Sequence, residues 1–198
     1  MEFKSNVNHK GYKTFYPDSI EALRSWLEKY GEIEKSVWIL LYKKNANKPT
    51  ISTGDVVKHS LCFGWVDSKT HTKDFESYYM YISQRNSNSN WSAVNKSNIA
   101  NIEAEGLMHE TGIKLVQHAK KTGTWNALND VENLVIPKDL ETAMKEIEGS
   151  EENFLAFNKS AKRGILHWIF SAKKPETRAN RIARTARMAG ENKRSFYE

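Results

Sequence analysis

Sulfur, glycine-rich loops and long apolar runs are scarce in this chain, and each shortage closes a class of function. Cys62 is the single cysteine, so the chain forms no internal disulfide and no thiolate zinc site. No apolar run approaches the ~20 residues that span a bilayer. Residues 1–10 lack the apolar core of a secretory signal, which makes a cytoplasmic location the expectation. Nowhere is there a glycine-rich phosphate loop, a dinucleotide fingerprint or a Gly-x-Ser-x-Gly elbow, and this disfavours the familiar nucleotide and hydrolase chemistries. The six histidines, at 9, 59, 71, 109, 118 and 167, include no pair three or four apart on a helix with a carboxylate. No metal and no cofactor is therefore expected. No repeat with a period of 20 to 50 residues is visible.

What is present is core material. Six Trp, eight Tyr and eight Phe in 198 residues supply bulky apolar groups, and 27% charged residues is ordinary for a folded protein. That length suits one domain, or one domain with a subdomain, able to bury a core. The formal charge of +6 is uneven: residues 159–198 hold eleven Lys/Arg against three Glu, which is +8, and the rest of the chain is −2. A basic end on a nearly neutral body points to an anionic partner for that end.

The chain is organised around residues 61–67, Leu-Cys-Phe-Gly-Trp-Val-Asp, where helical spacing stops at Gly64 and a strand pattern begins at Trp65. Upstream, Ser52 and Asp55 are spaced for a capping box, and Val56, Val57, Ser60 and Leu61 form one helix stripe. Residues 1–15 are polar and without period, which predicts a flexible arm. Asp18 with Glu21 predicts a helix start, and Ile20, Leu23, Trp26, Leu27 and Tyr30 carry the helix to Gly31. Residues 36–42 are apolar on both faces and predict a central strand.

Residues 65–69 and 77–84 predict an antiparallel pair across a seven-residue link, with Tyr79 and Tyr81 on one face and Tyr78, Met80 and Ile82 on the other. A helix then runs from Trp91 to about Glu105, with Val94, Ile99 and Ile102 inward and Gly106 as its stop. Beyond His109 the spacing predicts only helices, at 111–121, 137–147, 150–157, 161–172 and 175–190, with 125–135 irregular. Ile165, Leu166, Trp168, Ile169 and Phe170 surround most of their helix and predict burial on most sides.

These patterns define an α+β fold: a small antiparallel sheet of about three strands packed with helices, followed by a helical C-terminal half. The expected organisation is an arm over 1–15, one domain over 16–190 with its sheet half at 16–106 and helical half at 107–190, and a tail over 191–198.

Four ordered motifs carry a resemblance. They are residues 61–67, the strand opened by Ser77-Tyr78 and closed by Gln84-Arg85, the run Trp91-Ser92-Ala93-Val94-Asn95, and Ser171-Ala172-Lys173-Lys174-Pro175-Glu176-Thr177-Arg178. Together they resemble the YdeI/OmpD-associated family, also called bacteriocin-protection proteins, over residues 15–190. The resemblance implies a role in stress or antimicrobial-peptide resistance and supplies no catalytic residues.

Two candidate sites follow. In the terminal helix, Ala179, Ile182, Ala183, Ala186 and Ala189 fall on one third of the circumference, with Arg178, Arg181, Arg184 and Arg187 opposite. With Lys173 and Lys174 these arginines form either a solvated face or a weak anion-binding surface for nucleic acid or another acidic surface, since Arg is the better phosphate fork. A protein partner is also compatible with this face.

The second candidate groups Asp67, Arg85, Trp91 and Asn95 beside the sheet, where an aromatic anchor and an amide follow a polar loop; the alternatives are a ligand site and ordinary packing. Cys62 is expected to be a buried, inert thiol, because the end of a helix has the wrong dipole sign to stabilise a thiolate. The leading expectation is a non-enzymatic anion-binding or interaction protein, and the alternative is a small-ligand binder or enzyme at the second site.

Overall fold

A computed structural model of the protein describes residues 11–194. The first ten residues of the expected arm, and 195–198 of the expected tail, lie outside the described residues. The fold is α+β, and among the described residues the sheet has four strands in the order β1-β2-β4-β3. The first is β1 (Thr14–Phe15), parallel to β2 (Ser36–Tyr42), so the sheet is mixed and not purely antiparallel as expected. A two-residue strand carries no periodicity, which is why the polar-looking arm hid it. Phe15 nevertheless stacks on Trp26 at 5.6 Å and is buried.

Strand β2 pairs antiparallel with β4 (Ser77–Gln84), which pairs antiparallel with β3 (Trp65–Thr72). A register shift between Asp67 and Lys69 changes the face that β3 presents. The strand runs three residues further than its apolar part predicts.

Helix α1 (Ile20–Tyr30) starts one residue later than expected, because the Ser19 hydroxyl and not the Asp18 carboxylate accepts the Ala22 N–H. A 3₁₀ turn occupies Lys44–Ala46 in the predicted polar loop. Helix α2 (Thr53–Cys62) opens on the expected capping box, with Ser52 and Asp55 each bonded to the other's backbone. It is followed by Gly64 at φ 77°, a conformation that glycine adopts without strain.

Helix α3 (Ala93–Ala104) buries Ile99 and Ile102 but leaves Val94 68% exposed, contrary to expectation. Five residues at 100° each place Val94 well off the Ile99 face. Helix α4 (Glu110–Thr122) packs with this sheet-bearing unit, which ends at Trp125.

A second compact unit begins at Asn126. It contains α5 (Asn129–Glu132), a single turn inside the stretch expected to be irregular, then α6 (Lys138–Lys145), α7 (Ser150–Ala156), α8 (Lys159–Phe170) and α9 (Pro175–Gly190). Its core joins Leu140, Met144, Phe154, Ile165, Leu166, Ile169, Ile182 and Ala186. Helix α8 is buried along one side only: Phe170 is exposed and Trp168 partly so, because the surrounding helices cover Ile165, Leu166 and Ile169 fully and Ala161 and Trp168 in part. No helix among the described residues is long and apolar enough to cross a membrane.

Candidate functional site

The joint at Gly64 is where four chain segments of the first unit meet. The β3–β4 register sets Trp65 opposite Gln84, so Arg85 leaves the sheet beside Gly64 and its N–H donates to the Gly64 carbonyl at 2.9 Å. The Gly31 carbonyl, just past α1, accepts from Trp65 Nε1 at 3.1 Å and from Gln84 Nε2 at 2.8 Å. The start of α4 is fixed to the same place. His109 N–H donates to the Cys62 carbonyl at 3.1 Å and the Thr111 hydroxyl to the Phe63 carbonyl at 3.1 Å. Gly112 makes the approach tight, since a Cβ there would fall 2.1 Å from the Cys62 oxygen.

These contacts frame an open cleft of about 290 Å³. Its polar lining includes Glu32, Lys35, Gln84, Arg85 and Thr111, and its apolar lining Phe63 and Leu115.

Arg85 is the unusual member. Its guanidinium lies 4.1 Å over the Trp91 ring, and Trp91 is itself buried and tilted against Trp125 at 5.0 Å. Arg85 Nη2 donates to the Ser89 and Asn90 carbonyls at 3.4 and 2.5 Å. Its Nε is buried and has no hydrogen-bond partner, and among the described residues no carboxylate pairs with it. Burial alone pushes its pKa below the usual value, because desolvation disfavours the charged form and no anion compensates. The cleft wall therefore carries a positive charge held by a ring and two carbonyls, with bonding capacity left over.

Other cleft cations and anions are less constrained. Lys35 Nζ reaches the Gln84 amide oxygen at 3.3 Å, while Glu32 is exposed and, among the described residues, forms no ion pair, though its charge is felt by Lys114.

Of the four residues grouped from sequence, the structure brings Arg85 and Trp91 together and leaves the other two apart. Asp67 sits on β3 opposite Ile82, three residues along the strand from Gly64, exposed and outside the cleft lining. The register pairs Gln84 with Trp65, and this separates Asp67 from Arg85. Asn95 lies in the first turn of α3, its N–H donating to the Ser92 hydroxyl at 3.3 Å, also outside the lining. Glu32, Lys35 and Thr111 were missed; the turn after Gly31 and the start of α4 show no pattern linking them to Arg85.

The terminal helix is rotated from its expected setting. Ile182, Thr185, Ala186 and Ala189 are buried, whereas Ala179 and Ala183 are exposed. Arg178 is held by Asp139 through Nε at 2.8 Å and Nη2 at 3.0 Å. Arg181 donates to the Trp168 carbonyl and to Ser171 Oγ, with its guanidinium 5.0 Å over the Trp168 ring. Arg184 is half-buried, so of the four arginines Arg187 alone is exposed, as are Lys173 and Lys174. The face opposite the stripe is thus partly structural, since neighbouring helices supply a carboxylate and a carbonyl that lie far away in sequence.

Fold and site together define an α+β protein whose first unit carries a cleft lined by Arg85, Lys35 and Glu32 and whose second unit is a small helical bundle. Residues 15–115, just over half of the chain, match the family model described as a domain of unknown function (DUF8412), and the chain belongs to that family. Residues 133–192 match the model described as Bacteriocin-protection, YdeI or OmpD-Associated. That resemblance is thus found over part of the chain, and the motifs from Leu61 to Asn95 fall in the segment matched by the other model. No curated protein and no solved structure matches the chain.

Proposed function

We propose that this protein is a non-enzymatic, cytoplasmic binder of a small anionic ligand, with Arg85 as the anion-accepting group. The observation that carries the reading is the half-buried Arg85 guanidinium on the wall of an open cleft, stacked on Trp91 and without a carboxylate partner among the described residues. A half-buried cation without a counter-charge is partly desolvated, and the cost falls when a ligand carboxylate supplies a partner. The description of the family matched at 133–192 names bacteriocin protection, and resistance to such peptides or a related stress is the physiological setting we assign.

A second reading keeps a weak polyanion contact on the C-terminal unit. Lys173, Lys174 and Arg187 remain exposed there and support it.

The first reading is tested by calorimetric titration with sodium acetate at constant ionic strength. The parent is expected to bind in the millimolar range, and Arg85→Gln, checked for an unchanged circular dichroism spectrum, is expected to lose at least tenfold. Equal binding by parent and variant would overturn it.

A further inference from the structure

Resting on the reading of Arg85 just given, we infer that the ligand is a small zwitterion of the amino-acid class, its carboxylate taken by Arg85 and its ammonium by Glu32. The cleft lining contains both signs of charge. Among the described residues Arg85 Nη1 has no protein partner, and Glu32, in the turn after Gly31, has a carboxylate with neither an ion pair nor a hydrogen bond. Other acidic side chains of this unit that lie close to a base are already paired, Glu34 with Lys13, Glu105 with Lys58 and Glu110 with Lys114. Glu32, whose charge is felt by Lys114 but which bonds to no base among the described residues, and Arg85, which has no carboxylate partner there, thus line one cavity.

Three features narrow the ligand class further. First, Arg85 Nη2 already donates to the Ser89 and Asn90 carbonyls, and it is the nitrogen shared by the two edges of the guanidinium fork. Bidentate grip of a phosphate is thereby weakened, while a single carboxylate oxygen is still accommodated. Second, the Glu32 carboxylate repels a dianion in a space of this size but attracts an ammonium. Third, the volume of about 290 Å³ lies at the small end of ligand pockets, ~300–1,000 Å³. Phe63 and Leu115 give the wall an apolar strip against which a short aliphatic stem packs. Lys35, held only by the Gln84 amide oxygen, is placed to assist the carboxylate.

The experiment compares three probes with one carbon skeleton by calorimetry: L-leucine, 4-methylpentanoate, which lacks the ammonium, and 3-methylbutan-1-amine, which lacks the carboxylate. The parent is expected to bind L-leucine at least tenfold more tightly than 4-methylpentanoate, and the amine more weakly than either. Glu32→Gln, a substitution at an exposed position, is expected to bring L-leucine to the affinity of 4-methylpentanoate while leaving the latter unchanged or slightly improved. Arg85→Gln is expected to lose both acids. Equal binding of the two acids by the parent, or L-leucine affinity untouched by Glu32→Gln, overturns the zwitterion inference alone, since 4-methylpentanoate would still report the Arg85 site. Binding of both acids undiminished in Arg85→Gln overturns the underlying reading as well.

Discussion

Burial pushes the Cys62 thiol and the His59 imidazole in opposite directions, because in each case it disfavours the charged form. Cys62 is fully buried at the end of α2, and desolvation raises its pKa more than the nearby Arg24 lowers it. It is expected to react with iodoacetamide at least tenfold more slowly in the native protein than in urea, and equal rates would refute the packed thiol. His59 is buried with its Nδ1 3.3 Å from Arg24 Nη1, and desolvation and then Arg24 lower its pKa. Since its folded value is depressed, the unfolded chain takes up the proton first. The associated stability is full above pH ~6.5 and is lost as the pH falls below that value. His59→Asn should flatten the decline in urea midpoint below that pH relative to the parent; parallel declines would exclude His59 as the source. At this scale the sequence was informative wherever the neighbours in the chain decide the outcome. Cys62 lies between Leu61 and Phe63 and was legible as core, whereas the placing of Arg85 on a cleft wall depends on Glu32, Lys35 and Thr111, which only the fold brings near.

Helix α9 shows the limit of periodicity as a guide to which face is inward. The arginine–alanine alternation gives a clear stripe, but Arg178 and Arg181 find Asp139 and the Trp168 carbonyl, and the helix turns to let them. The bidentate Arg178–Asp139 pair joins α9 to α6 and is partly exposed, so Arg178→Gln is expected to cost about 0.5–1 kcal/mol in chemical unfolding. Its pH signature has the same sign as that of His59 but lies at lower pH. Arg178 holds the Asp139 carboxyl below its ordinary pKa, so the contribution persists above pH ~4 and is lost only as the pH falls through the folded value. What remains for a polyanion is Lys173, Lys174 and Arg187. Three contacts give a log–log salt slope near ~2.7 on duplex DNA, and replacing all three with Gln should bring it towards zero. A parent with no salt-dependent binding would assign the face to solvent. Elements with local chemical signals, such as the Ser52/Asp55 box and the glycine after α2, were legible from sequence. Strand β1 and the Asp67/Lys69 shift were not, because both are products of pairing with distant strands.

The two compact units coincide closely with the two family models: one unit ends at Trp125 and the other begins at Asn126, while the models cover 15–115 and 133–192. Each unit has its own buried cluster, the first built on Leu27, Ile39, Trp65 and Trp91, the second on Leu140, Phe154, Ile165 and Ile182. Within the second unit the last helix is fastened from inside. The fully buried Ser150 hydroxyl donates to the Ala186 carbonyl at 2.8 Å, and Asn153 Nδ2 donates to the Ala189 carbonyl at 2.9 Å. A segment of this size sits near the lower limit for independent folding, since small domains bury only about 60% of their unfolded surface. Its apolar cluster and these internal bonds place it above that limit. Residues 126–198 expressed alone are therefore expected to keep a helical circular dichroism spectrum and to unfold in one cooperative transition, with a stability of about 4–10 kcal/mol. Within that fragment Ser150→Ala removes the side-chain bond to the Ala186 carbonyl, which keeps its helical donor, and should lower stability by about 0.5–1.5 kcal/mol. A non-cooperative melt, or dye binding typical of a loosely packed core, would show that the second unit draws its order from the rest of the chain.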